Sequence, residues 1–445
     1  MSARGDRRSN WRLRHWIGIA AIVALVAGCG GDSDDAGGDS EGAAKAVLAE
    51  PTKISVGAAP VFDTTLPLVA KELGYFEDVG IDLTQFRNSG GDLPAQIPVL
   101  TNGSLTMVTQ VPETSIPAAE NFPGITWGYV NDMWFGAAFM QREGGPFKTF
   151  EELESADTAA EPEDVLRRTL EQFRGKSLIT NYQQEEQFLV NLFNAVGISE
   201  APDEFMNVQS LPAPQGVVAF LRGEGDLFVG SLPDRSRIEE EGGVPITTAR
   251  QWPAVAGTAV YVGWLIRREW LEENRDAYLR FFSALFRVAE DLSPRTMEPN
   301  ETQDRALEIM LEWVNEESGA SFTIEDARRV NREISPWFTV EEMGAILFDE
   351  GSPRNWGQYL SDTEQFLVGA GQLKSGAVDI ESHSEAEALY REYLDLRDAA
   401  ERDLAALEES GDAKALADQA RAHFEILNYV DAAALAAQAR TQAGG

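Results

Sequence analysis

Beyond position 29 the chain contains no cysteine, so no disulfide can staple any part of it. Stability must then come from burying a core. The 445 residues, 43% of them apolar, are enough for two or more domains. The one cysteine, Cys29, closes the run Val26-Ala27-Gly28-Cys29. Arg4, Arg7, Arg8, Arg12 and Arg14 precede an apolar stretch from Trp16 to Val26. That stretch is about half of the ~20 residues a bilayer crossing needs. A basic start, a short apolar run and small residues before a thiol read as an export signal over residues 1–28, with Cys29 as the site of lipid attachment.

The formal charge is −36, and it becomes about −40 once the five arginines and one aspartate of residues 1–28 are gone. So acidic a chain is repelled by nucleic acid and by anionic lipid surfaces. The expected membrane contact is therefore the lipid on Cys29 alone, and no nucleic-acid partner is expected. Residues 29–50 are mostly glycine, serine, alanine and acid, with little to bury. They read as a flexible tether, which lets the body move roughly 25 Å from its anchor.

From residue 51 the pattern alternates between strands and helices. Strands are expected at Ile54–Gly57, Ile81–Thr84 and Leu105–Gln110, with a helix after Asp63-Thr64-Thr65, which offer N-caps, and another near Pro94–Asn102. Trp134–Met140 reads as one buried strand, and the capping box Thr149–Glu152 opens a further unit. Strands at Ser177–Thr180, Asn207–Ser210 and Leu227–Val229 alternate with helices at Glu185–Val196 and Gln215–Arg222. The chain then crosses back at Thr258–Ile266, and helices are expected from near Glu269, Glu301, Thr323, Thr339 and Trp356. This spacing predicts an α/β protein whose sheets are mostly parallel and flanked by helices. In the tail, Leu389, Tyr393, Leu396, Ala400 and Leu404, then Leu416, Ala420, Phe424 and Leu427, are spaced for a helical hairpin.

Catalytic chemistry finds few reagents. After residue 28 only His383 and His423 remain of the histidines, and both fall in the helical tail. No histidine and cysteine cluster can hold zinc or iron, and no glycine-rich phosphate loop is present, so no catalytic residue, metal or cofactor is expected.

The run Leu73-Gly-Tyr-Phe-Glu-Asp-Val-Gly-Ile-Asp82, followed by Leu100-Thr-Asn-Gly-Ser-Leu105, resembles the opening of substrate-binding proteins of ABC importers for nitrate, sulfonate, taurine and thiamine-pyrimidine precursors. Arg174–Leu178, Ala254–Arg268 and Gly371–Ile380 continue the resemblance in the same order, over roughly residues 53–395. It implies a two-lobe periplasmic-binding-protein fold of type II, monomeric, which closes on a solute and passes it to permease subunits. Residues 51–140 plus 258–380 are then lobe I, 141–257 lobe II, and 381–445 a helical tail.

In receptors of this kind the ligand sits where strand carboxyl ends and helix amino termini face the cleft. That rule nominates Phe62, Asp63, Thr64 and Thr65, then Gln110, Glu113 and Thr114, from lobe I. From lobe II it nominates Asn181, Tyr182 and Gln183, then Ser231 and Asp234. Trp134, Trp252 and Trp264 lie near the crossings and are expected as flat walls. Glu185 and Glu186 follow in the first turns of the lobe II helix, where they complement the helix dipole and repel anions. The expected ligand is therefore a neutral or cationic organic solute, with Glu113 or Asp63 meeting any positive charge. Two other functions fit the resemblance. One is a receptor that docks on a membrane sensor through the tail. The other is a pyrimidine-synthase-like enzyme, which would need an iron site and a histidine donor that residues 51–380 lack.

Overall fold

A computed structural model of the chain describes residues 50–90, 92–180, 182–232, 234–253, 260–293, 300–406 and 412–444. The export signal, Cys29, the tether and Asn181 lie outside the described residues.

Ten strands form two five-stranded sheets. In the first, β1 (Thr52–Ala58), β2 (Ile81–Asn88), β3 (Met107–Gln110), β4 (Ile125–Trp134) and β10 (Val260–Arg267) lie in the order β2-β1-β3-β10-β4. In the second, β5 (Ala138–Gln141), β6 (Ser177–Thr180), β7 (Asn207–Ser210), β8 (Leu227–Gly230) and β9 (Val244–Thr248) lie in the order β7-β6-β8-β5-β9. The two orders are the same once the strands are counted from β1 and from β6. Each sheet has four strands running one way and one running against them, β10 between β3 and β4, and β5 between β8 and β9. The reversed strand is in each case the one formed as the chain arrives from the other sheet. This repeated order is the two-lobed type II architecture.

Consecutive parallel strands of one sheet need a crossover, and the helices Leu66–Glu72 and Leu93–Thr101 supply it from β1 to β2 and from β2, past β1, to β3. The expected caps of the first of these helices act differently. Thr65 caps it without a side-chain bond to the helix, and the Thr64 and Thr65 hydroxyls donate backwards to the carbonyls of Ala59 (2.6 Å) and Phe62 (2.6 Å). Asp63 and Thr64 thereby sit in a short 3₁₀ turn, Phe62–Thr64, and not at a helix start.

Trp134–Met140, expected as one strand, is divided between the sheets: β4 ends at Trp134 and β5 begins at Ala138. Two strands were not anticipated, the ten-residue β4 and β9. In β4 the sequence Ile-Thr-Trp-Gly-Tyr-Val-Asn-Asp-Met-Trp places Gly128, Asn131 and Asp132 inside a strand that is buried from Ile125 to Met133. At Gly263 of β10 an added Cβ would meet the Tyr129 carbonyl oxygen at 2.1 Å, so only glycine lets the two strands approach there.

The helices after β10 cover the first sheet. Arg275–Leu292 is buried along most of its length against Leu66–Glu72, β2 and the tail. The tail contains the expected helices, Ala386–Ala405 and Asp412–Glu425, and a third, Tyr429–Gly444. It packs on the body: Tyr393 meets Phe286 at 5.4 Å and Tyr429 at 4.7 Å between ring centroids. Arg280 donates to Asp431 at the same junction. Among the described residues no helix is long and apolar enough to cross a membrane.

Candidate functional site

Because β1, β3 and β4 run parallel, their carboxyl ends lie along one edge of the first sheet, and β8 ends likewise in the second. A cavity of about 620 Å³ opens among these ends, within the usual span of small-molecule sites. The loop after β1 contributes Phe62, Asp63 and Thr64, β4 contributes Trp134, and the segment after β8 contributes Ser231 and Leu232. Gly136 makes the Trp134 position possible, since a Cβ there would come within 2.2 Å of the indole.

The remaining wall comes from the helical region. Helix Glu301–Ser318 ends at Gly319 in the left-handed conformation (φ 71°), where a side chain would be strained. The turn carries the chain to Phe322, whose ring meets Phe62 edge-on at 5.3 Å. The π-helical turn Val330–Ile334 then brings Ile334 and Ser335 to the cavity. Most of the lining is aliphatic or aromatic, which suits an organic body more than a hydrated ion.

One polar feature stands out against that lining. Asp63 is 8% exposed, and its Oδ1 has no hydrogen-bond partner among the described residues. Asp132, wholly buried on β4, accepts the Ser335 hydroxyl through Oδ2, while its Oδ1 is likewise without a partner. The neighbouring Asn131 donates from Nδ2 to the Asp63 carbonyl at 3.0 Å, which ties the loop to β4. Burial pushes the Asp63 carboxyl up to about 7, against a small opposing bond from its own backbone. Asp132 is held well above the carboxylate range by burial first and by the Asp63 charge second, with the Ser335 bond opposing. Both shifts run the same way, so the pair resists carrying two charges at once.

The nominated residues divide. Phe62, Asp63, Thr64, Trp134 and Ser231 line the cavity. Thr65 is wholly buried behind it, with its hydroxyl committed to Phe62. Gln110 donates to the Leu93 carbonyl (2.7 Å) and accepts from Thr114 (2.5 Å), so these two satisfy each other in the scaffold. Glu113, expected to meet a positive charge, accepts the Tyr359 hydroxyl at 2.5 Å from helix Trp356–Gly369 and is not on the cavity wall. Trp252 packs against Phe188 at 5.0 Å and donates to Thr247 at 3.1 Å, away from the cavity. Trp264 is fully buried within β10. Asp234 is half-buried on the helix Asp234–Glu240, with its carboxyl raised by burial and opposed by Arg237, and does not line the cavity. Tyr182 and Gln183 begin the helix Tyr182–Ala195.

Both tail histidines are structural. His383 is 3% exposed and faces the Ser115 hydroxyl at 3.3 Å, with its pKa lowered to about 4, chiefly by burial. His423 is buried beside Asn428.

No family model and no curated protein matches the chain. Among solved structures it is similar to the periplasmic aliphatic sulphonate binding protein SsuA from Escherichia coli, at 14% identity and a TM-score of 0.48, over 77% of this chain and 100% of that one. The periplasmic nitrate-binding protein NrtA from Synechocystis PCC 6803 is similar at 13% identity and a TM-score of 0.44, over 77% of this chain and 88% of that one. A mutant of DszB in complex with biphenyl-2-sulfinic acid is similar at 12% identity and a TM-score of 0.48, over 77% of this chain and 99% of that one. At this distance the fold assignment rests on the strand order repeated in the two sheets.

Proposed function

We propose that the chain is an extracytoplasmic solute receptor, anchored by lipid at Cys29, which captures a small organic solute between its two sheets and delivers it to permease subunits of the ABC class. The observation that carries this reading is the cavity, with walls drawn from the carboxyl ends of strands in both sheets. A site divided between two sheets can gain walls when they approach each other. The receptor acts as a monomer on its tether, and the solute is neutral or cationic. Among the described residues no lysine, arginine or histidine lines the cavity, so an anion would lose its hydration there without a countercharge.

A thermal-melt screen of the full chain tests this. The panel should hold amines, neutral aromatics, amino acids, sulfonates and nitrate, each also run against Ser231→Trp, which fills the cavity from the second sheet. A solute at one hundred times its dissociation constant adds about 2.7 kcal/mol, which raises the melting temperature measurably. The reading expects an organic solute that shifts the natural chain and not the Ser231→Trp variant. Equal shifts in both would place binding outside the cavity and overturn it.

A further inference from the structure

Taking the cavity as a solute site, we infer that Asp63, backed by Asp132, selects a solute that carries one basic nitrogen on a largely apolar body. Asp63 is a cavity-lining carboxyl, more than nine-tenths buried, with one oxygen unpartnered. The groups that act on it and on Asp132 come from every element around them. They are its own backbone in the loop after β1, Asp132 on β4 and the Ser335 hydroxyl after the π turn. Asn131 reaches only the Asp63 backbone. No guanidinium or ammonium among the described residues offsets either carboxyl. Arg250 donates to the carbonyls of Arg332 and Glu333, Arg354 to that of Arg250, and Arg332 pairs with Glu333.

A carboxylate left charged in such surroundings is expensive, so the empty cavity keeps its acid protonated. An ammonium group entering beside Asp63 supplies the missing countercharge, and the carboxyl proton leaves to water as it does. The rings of Trp134 and Phe62, on the same wall, add attraction for a cation and contact for an apolar body. A carboxylate or sulfonate solute would lose its hydration with no cationic side chain among the described residues of the cavity wall to replace it, and a neutral one would leave the unpartnered oxygen only a weak hydrogen bond.

The test uses three matched probes, 4-phenylbutylamine, 4-phenylbutanol and 4-phenylbutanoate, titrated calorimetrically into the purified full chain at neutral pH. The amine should bind about tenfold or more tighter than the alcohol, the scale of one charge-assisted contact in a dry site. In Asp63→Asn that gap should fall to within about threefold while the alcohol keeps its affinity. Asp132→Asn should narrow the gap in the same direction and serves if Asp63→Asn does not fold. Alcohol or carboxylate binding that equals the amine's would overturn the selection and leave the receptor reading standing. An amine preference that survives in both variants would also overturn it. Failure of all three probes to bind would overturn the selection of a basic nitrogen on an apolar body, while the melt screen decides the receptor reading separately.

Discussion

The carboxyl groups of Asp63 and Asp132 are buried together, and Asp63 is a principal electrostatic influence on Asp132 after burial itself. The two belong to different elements, a loop at the cavity and the interior of β4, so the cost of holding them is spread across the wall of the site.

That cost gives a pH dependence. The Asp63 pKa rises from 3.8 to about 7 on folding, so the folded chain binds the proton more tightly than the unfolded one. Its contribution to stability is whole below about pH 4 and is lost as pH rises through about 7. Asp63→Asn removes the titrating group and keeps the shape. At pH 8 it should melt several degrees above the natural chain, a gain on the order of 2 kcal/mol, and the gain should vanish at pH 4. Melting curves at the two pH values check it.

Glu113→Gln should leave solute affinity within about threefold of the natural chain, because Glu113 meets Tyr359 and not the cavity. It should lower stability by about 1 kcal/mol through the weakened bond. Calorimetry and urea denaturation separate the two effects.

Arg280 and Asp431 join the body to the last helix with side chains only 6% and 2% exposed. Asp431→Ala strands the guanidinium, and the loss should be about 3–5 kcal/mol in chemical denaturation. Replacing both, with Arg280→Met and Asp431→Leu, should recover most of it, since an apolar pair of similar volume leaves no charge unpaired. A double variant as unstable as the single one would show that packing, not the stranded charge, sets the cost.

Gly319→Val forces a β-branched side chain into a left-handed turn (φ 71°) and should cost about 1–2 kcal/mol. The same change disturbs the turn that seats Phe322 on Phe62, so solute binding should weaken with it. Urea denaturation and calorimetry read the two losses.

Much of the scaffold was legible because its signals are local. The capping box at Thr149 forms as its spacing predicts, capping boxes open the helices expected near Thr323 and Thr339, and the short apolar runs around Ile54, Ile81 and Leu227 become strands. β4 was hidden for the reason that makes it important. Asn131 and Asp132 interrupt the apolar pattern of a buried strand, yet β4 buries both beside the site. The helical side of the cavity was hidden too, since Phe322, Ile334 and Ser335 reach it only through tertiary packing more than 250 residues from Phe62. Gln110, Thr114 and Glu113 carry the right chemistry at strand ends, and their mutual and tertiary hydrogen bonds, invisible in the sequence, use it in the scaffold. The third tail helix is rich in alanine, so apolar spacing gave it no stripe of large side chains.

The central claim, that one solute is held by both sheets at once, is tested most directly by hydrogen–deuterium exchange of the full chain with and without a saturating solute from the screen. The account predicts slower exchange in two separate stretches together, the loop 59–65 after β1 and residues 231–236 after β8. Protection confined to one of them, or centred on Trp252 instead, would contradict it.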